Sequence, residues 1–252
     1  MKLTAIVLIG QNDKMKAKQA IDSLSFADEI IVVKEKFPIN DFGEVRNRAL
    51  DRAKGEWVLF VDSDEKVTQQ LAREIKRVIK FSSQGYFLQR QDKFLGRWLK
   101  HGETASVKLL RLAKKNAGRW VRPVHEVWKV KGETGELKNP LLHYSHEAVE
   151  GMVEKLDRYS GMEAGYKNRQ MVRWLEWLKW LNCIRLISFP VGKFVLNYFF
   201  RLGFLDGMEG FIHAGMMSGH SFLVRAKLLK RYESTCQISH GRSPDGRANS
   251  SE

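Results

Sequence analysis

The chain has 252 residues, 43% of them hydrophobic, which suffices for one large domain or a core domain with an appendage and argues against wholesale disorder. Its 43 Lys and Arg against 29 Asp and Glu leave a net charge of +14, a balance that favours polyanionic partners such as nucleic acid, anionic lipid or phosphorylated substrates. The 2 cysteines, Cys183 and Cys236, form no CxxC pair and no Cys/His cluster, which argues against a zinc site or a disulfide framework and fits a reducing cytoplasm.

Residues 3–9 (LTAIVLI) form a continuous apolar run, the pattern of a strand buried on both faces. Only Lys2 precedes it and no small-residue cleavage site follows, so it reads as a first core strand and not as a signal peptide. A surface helix is predicted over 14–24 and a second buried strand over 29–33 (EIIVV). A helix over 43–54 should stop at Gly55 as its C-terminal cap, and a third strand follows at 56–61 (EWVLFV). Thr68 should then N-cap a helix with Leu71, Ile75, Val78 and Ile79 on one face. Strand and helix thus alternate over the first 80 residues, which predicts a parallel α/β sheet with its ligand site beyond the carboxyl ends of the strands. Residues 84–144 hold short alternating stretches broken by Gly and Pro, expected to complete the sheet and its site. From His146 the chain reads as mostly helical, and the polar stretch 234–252 is expected to be a disordered tail.

The strongest local signal is Phe60-Val61-Asp62-Ser63-Asp64-Glu65. Two carboxylates two residues apart, just past a buried strand, can point the same way. A hard divalent cation, Mg or Mn, takes carboxylate oxygens together with phosphate oxygens, which suits a nucleotide diphosphate. The bland alternative is a helix N-terminus that gathers acids to match its dipole. Val124-His125-Glu126 and His143-Tyr144-Ser145-His146 are weaker signals, each compatible with a structural or incidental pair. There is no GxSxG, no Walker A sequence and no GxGxxG, so hydrolase, NTPase and dinucleotide functions have no support.

The stretches SLSFADEIIVV, DFGEVRNRALDRAKGEWVLFVDSDEKV, FLGRWLKHG, RLAKKNAGRWVRPVHEVWKVKGETGEL, LLHYSH and RLGFLDGMEGF, in this order, resemble the family 2 glycosyltransferases of GT-A fold, in particular the branch that builds lipopolysaccharide core. The resemblance spans about residues 3–230. It implies that Asp62 and Asp64 are the DxD pair that holds metal and donor diphosphate. It implies that Glu126 is an acidic general base, with His125 lining the same site and His143 a further metal or diphosphate ligand. Arg46 and Asn47 match the RN of a helix that flanks the donor pocket, and Trp98, His101 and Gly102 match a loop near donor or acceptor. One departure stands out. After its second strand the family reads Asp-Ser-Gly-Ser-x-Asp, followed by a helix and another strand. Here Val33 is followed by Lys34-Glu35-Lys36-Phe37-Pro38-Ile39-Asn40 and then by Asp41-Phe42-Gly43. A strand-end carboxylate and about one helix–strand unit are missing, with Glu35 the nearest substitute for base or ribose contact.

Residues 172–205 carry Trp174, Trp177, Trp180, Phe189, Phe194, Tyr198, Phe199 and Phe200 with Arg173, Lys179, Arg185, Lys193 and Arg201 between them. No run of about 18 apolar residues exists for a spanning helix, and the pattern fits a helix lying in the plane of an anionic membrane surface. The alternative is a helical subdomain that packs its aromatics into a core. No nucleic-acid reader motif is present. The sequence therefore predicts a GT-A-like, mostly parallel α/β domain over 1–145 and a helical membrane-associating region over 146–233. The expected activity is inverting transfer from a nucleotide-diphospho-sugar to a lipid-linked or lipopolysaccharide-core acceptor, on the inner face of the cytoplasmic membrane. Rival expectations are an inactive scaffold of the same fold at the membrane, or a basic nucleic-acid-binding protein.

Overall fold

The computed structural model describes residues 1–10, 14–34, 41–122, 126–146, 149–171 and 179–239. In chain order these form β1 (Leu3–Ile9), α1 (Lys14–Asp22), β2 (Glu29–Lys34), α2 (Phe42–Arg52), β3 (Trp57–Asp62), β4 (Glu65–Lys66) and α3 (Gln69–Val78). Then come β5 (Gly85–Phe94), β6 (Arg97–Trp98), a short 3-10 turn (Thr104–Ser106), β7 (Lys108–Lys114), β8 (Gly118–Val121), β9 (Val127–Val130), β10 (Thr134–Glu136) and β11 (Leu141–His146). The chain ends in α4 (Val149–Met171), α5 (Lys179–Val195), a π turn (Leu196–Phe200), a 3-10 turn (Gly203–Asp206) and α6 (Gly207–Ser239).

The fold is mixed α/β. Its main sheet runs β2-β1-β3-β7-β5-β11-β4, with β6 and β10 also pairing with β5. β1 pairs in parallel with β2 and β3, as the alternation of strand and helix predicts. The sheet as a whole is not mostly parallel. β7 lies antiparallel between β3 and β5, and β4 lies antiparallel to β11. Within residues 84–144, β5 pairs antiparallel with β6 and β7, while β10 and β11 lie parallel to β5.

β1 and β3 are buried on both faces because the sheet has a core on each side. Ala5, Val7, Leu59 and Val61 pack with Leu71 and Ile75 of α3. Ile6, Val58 and Phe60 pack with Val45, Ala49 and Leu50 of α2 and with Trp120 and Trp128 of the β8–β9 hairpin. Thr68 caps α3 as expected, its Oγ1 accepting a hydrogen bond from the Leu71 amide at 3.1 Å. Asp41 does the same for α2 through the Glu44 amide at 2.9 Å.

Two local expectations are corrected. β2 is an edge strand, with Ile31 and Val33 buried and Ile30 exposed, because among the described residues no strand stands beyond it. Gly55 does not cap α2, which ends at Arg52 with Ala53 in extended conformation. A Cβ on Gly55 would lie 2.7 Å from the Thr4 nitrogen, so its role is to let the chain pass close to β1.

α6 packs against both α4 and α5. No helix among the described residues is long and apolar enough to cross a membrane. α6 continues to Ser239, six residues into the expected tail (234–252), whose remaining residues 240–252 lie outside those described.

Candidate active site

A cleft of about 550 Å³ opens at the carboxyl ends of β1 and β3, lined by Leu8, Ile9, Arg46, Asp62, Asp64, Glu126 and His143 among others. Strand pairing brings these residues together. Asp62 ends β3 opposite Leu8 of β1, and the Ser63 amide donates to the Leu8 carbonyl at 3.0 Å. The chain then turns into β4, which sets Glu65 opposite His143 of β11, and β11 in turn sets His143 opposite Asp92 of β5. The Tyr144 amide donates to the Asp64 carbonyl at 2.8 Å, which fixes the acidic turn to the strand that carries His143.

The two aspartates have different surroundings. Asp62 is held by two arginines: Arg46 Nη2 donates to its Oδ1 at 2.8 Å and Arg111 Nη2 to its Oδ2 at 2.6 Å. Burial pushes the Asp62 carboxyl up, but Arg111 and Arg46 push it down by more, so it stays well below the usual carboxylate range. Arg46 also donates from Nε to Glu126 Oε1 at 2.8 Å, and its guanidinium lies 4.7 Å from the Trp120 ring centroid. Glu65 accepts the Asp62 amide at 2.9 Å, and its burial raises its pKa despite the nearby Arg111.

Asp64 faces His143 Nε2 at 3.4 Å and Lys155 Nζ at 3.8 Å, while His143 Nδ1 meets Asp92 Oδ1 at 3.0 Å. Burial alone would lower the imidazole pKa, but the hydrogen bonds to Asp64 and Asp92 outweigh it and raise the value to about 9. A histidine raised from 6.5 to about 9 stabilises the fold fully below about pH 6.5, and that contribution disappears as pH rises through about 9. In chelator-containing buffer, urea denaturation should therefore show stability falling between these limits, with up to about 1.4 kcal/mol per pH unit from this group. The His143→Gln chain should lose that slope. An unchanged slope would place the imidazolium elsewhere.

Among the described residues no group of three or more His, Cys, Asp or Glu is placed to hold a metal ion. An all-protein cage is therefore not what this cleft offers. The two arginines occupy both oxygens of Asp62, whereas His143 and Lys155 both meet Asp64 at Oδ2, which leaves Asp64 Oδ1 as the strand-end carboxylate oxygen suited to a cation. Mg and Mn sites of one carboxylate completed by phosphate oxygens and water fit this donor set.

Of the residues expected at the site, Arg46, Asp62, Asp64, Glu126 and His143 share the cleft. Glu35 and His125 lie outside the described residues. Asn47 serves the fold instead: its side chain exchanges two hydrogen bonds with the Trp120 backbone, at 3.0 and 2.9 Å, and ties α2 to β8. Trp98, His101 and Gly102 do not line the cleft. Trp98 packs edge-on to Tyr144 at 5.5 Å, and the amides of His101 and Gly102 bond to Asp206 and to the Arg201 carbonyl.

Sequence reasoning missed Arg111, Asp92, Lys155, Arg158 and Tyr159. Arg111 had a faint signal, a lone charge inside the apolar strand KLLRLAK. Lys155, Arg158 and Tyr159 have i, i+3, i+4 spacing, which places them on one face of α4, but nothing in the sequence says that this face turns to the cleft.

The fold and site define a mixed α/β protein with an acidic and basic cleft at the carboxyl edge of its parallel strands. Over most of its length this chain is similar to curated glycosyltransferases. An uncharacterized glycosyltransferase of Rickettsia typhi is 23% identical over 90% of this chain and 87% of that protein. The lipopolysaccharide core biosynthesis glycosyltransferase LpsC of Rhizobium meliloti is 24% identical over 77% of this chain and 72% of that protein. Among solved structures, S. aureus TarS 1-349 aligns over 97% of this chain and 93% of that one, with a TM-score of 0.42 and 14% identity. TarS 1-349 in complex with UDP-GlcNAc aligns with a TM-score of 0.43 and 14% identity, again over 97% and 93% of the two chains. No family model matches the chain.

Proposed function

We propose that the chain is a glycosyltransferase of GT-A type that moves a sugar from a nucleotide-diphospho-sugar to a saccharide carried on a lipid. The observation that carries this reading is the convergence of Arg46, Asp62, Asp64, Glu126 and His143, from four separate stretches of sequence, on one strand-end cleft. The similarity to LpsC, a lipopolysaccharide core biosynthesis glycosyltransferase, favours a lipopolysaccharide-core acceptor.

The reaction is a single displacement that inverts the anomeric carbon. Glu126 accepts the proton of the acceptor hydroxyl as that oxygen forms its bond to the sugar, and the bond from the sugar to the diphosphate breaks. A divalent ion on Asp64 would supply charge neutralisation for the departing diphosphate. Lys155 and Arg158 face the same space from α4 and offer fixed positive charge for the phosphates. Arg46 and Arg111 hold Asp62 in its ionised form and stiffen the turn that presents Asp64. The apolar and basic helices after His146 favour a peripheral position on the cytoplasmic face of the membrane.

A panel of nucleotide sugars, titrated with Mg or Mn and read by calorimetry, tests the donor. One donor should bind, and Lys155→Ala should weaken it by about tenfold, the loss of one charge-assisted contact. The edge position of β2, with no strand beyond it among the described residues, favours a second reading: a scaffold that no longer binds donor. Absence of binding across the whole panel would favour that scaffold.

A further inference from the structure

We propose that the turn between α5 and α6 together with the start of α6, residues 196–211, is a preformed apolar wedge that enters an anionic lipid bilayer. This rests on the membrane-facing part of the function proposed above and narrows it to one element. The expected membrane helix covered 172–205, of which 172–178 lie outside the described residues. In the described part of that range, exposed large apolar side chains run from Ile184 to Leu205, and they are most closely spaced at its end, from Phe199 on to Met208 just beyond it.

Phe199, Phe200, Leu202, Phe204, Leu205 and Met208 are all exposed, Phe200 by 77% and Met208 by 67%. Large apolar side chains scattered singly on a surface need no explanation, but six within ten residues of one tight turn form a patch. The charges around it are mainly basic. Arg97, Lys100 and Arg201 are exposed beside the turn, and Glu209 is already paired with Arg97 at 3.7 Å. An apolar tip with a cationic collar complements a bilayer whose surface is anionic, with the side chains in the acyl region and the collar at the headgroups.

The wedge is built to hold this shape. Leu202 adopts a left-handed backbone, φ +57, which a leucine disfavours, and its side chain points outward, 45% exposed. Burial of that leucine therefore does not offset the strain; the surrounding contacts do. Asp206, buried, accepts the amides of Lys100 at 3.0 Å and His101 at 2.8 Å. Gly102 donates its amide to the Arg201 carbonyl at 2.8 Å, and buried Asn197 donates to Glu103 at 3.1 Å. A Cβ on Gly203 would lie 2.6 Å from the Asn197 carbonyl oxygen, so the turn closes only with glycine there.

These contacts also tie the wedge to the cleft. The Leu99 amide donates to the Asp92 carbonyl at 2.9 Å, and Asp92 is the carboxylate that holds His143 against Asp64. The loop 97–103, expected from sequence near donor or acceptor, is thus the rigid link between a lipid surface and the site. Insertion of the wedge sets the height of the cleft above the headgroups, where a sugar carried on lipid would stand.

The test is flotation of the full chain with vesicles of phosphatidylcholine containing phosphatidylglycerol. A triple variant, Phe200→Ser with Leu205→Ser and Met208→Ser, should bind at least tenfold more weakly than wild type. Phe200→Glu alone should also weaken binding. Melting curves and donor titrations that match wild type show that the fold and cleft are intact in each variant. Binding that equals wild type in both variants overturns the wedge while leaving membrane association and transfer standing. Wild type that ignores anionic vesicles overturns the wedge and the peripheral position together, without touching the donor site. A dimer in lipid-free solution that the variants dissolve assigns the patch to a second copy of this chain and overturns the proposal as well.

Discussion

Replacing Asp64 with alanine is expected to lower sugar transfer by about a hundredfold or more while leaving the fold intact. The side chain lies on a turn beyond β3, where it contributes little packing. Its loss leaves His143 paired with Asp92 at 3.0 Å, and the Tyr144 amide keeps the Asp64 backbone carbonyl. Asp62→Ala should behave differently. It leaves the buried guanidiniums of Arg46 and Arg111 without their shared carboxylate, and removing one partner of a buried pair costs about 3–5 kcal/mol. Chemical denaturation should therefore rank the two variants: Asp64→Ala is weakened by losing one of the two carboxylates that hold His143, and Asp62→Ala is weakened further, because two buried guanidiniums lose theirs. A chelator should reproduce the activity loss of Asp64→Ala in the wild type. Full activity of Asp64→Ala, or of the wild type in excess chelator, would remove the metal from Asp64.

The second large effect is expected at Glu126. Glu126→Gln should keep donor affinity and lose turnover by about a hundredfold to ten-thousandfold, the usual contribution of a general base. Glutamine keeps an oxygen for Arg46 Nε, now 2.8 Å from the carboxylate, so the cleft wall should hold its shape. A loss confined to turnover separates proton transfer from binding. Turnover within about twofold of wild type would move the base elsewhere. Asp41 and Glu103 are poor substitutes, because Asp41 caps α2 and Glu103 holds Asn197 and Lys193 outside the cleft. His125 would be next.

The elements with strong periodicity were legible in the sequence. LTAIVLI, apart from Thr4, and WVLFV have apolar side chains throughout because both faces of β1 and β3 meet a core, and Thr68 is a capping residue placed one residue before its helix. The DxD at the end of β3 was legible for the same reason: a carboxylate cannot continue a strand buried on both faces, so the strand end and the site coincide. Edge against interior was not legible. EIIVV reads as a buried strand, yet β2 stands at the sheet edge, because sequence records a strand's own apolar content and not the number of its neighbours.

What the sequence by itself determined is local: the strands, the caps, the acidic turn and the excess of positive charge. Only the tertiary structure decided which charges meet. Arg111 reaches Asp62 because β7 inserts antiparallel beside β3, and His143 reaches Asp64 because β4 and β11 pair across most of the domain's sequence. Lys155 enters the cleft because α4 lies over it, while His101, expected there, is claimed by Asp206. Charge pairing acts over a few ångströms in space and is indifferent to distance along the chain, so the residue types announce the chemistry and the packing selects the partners.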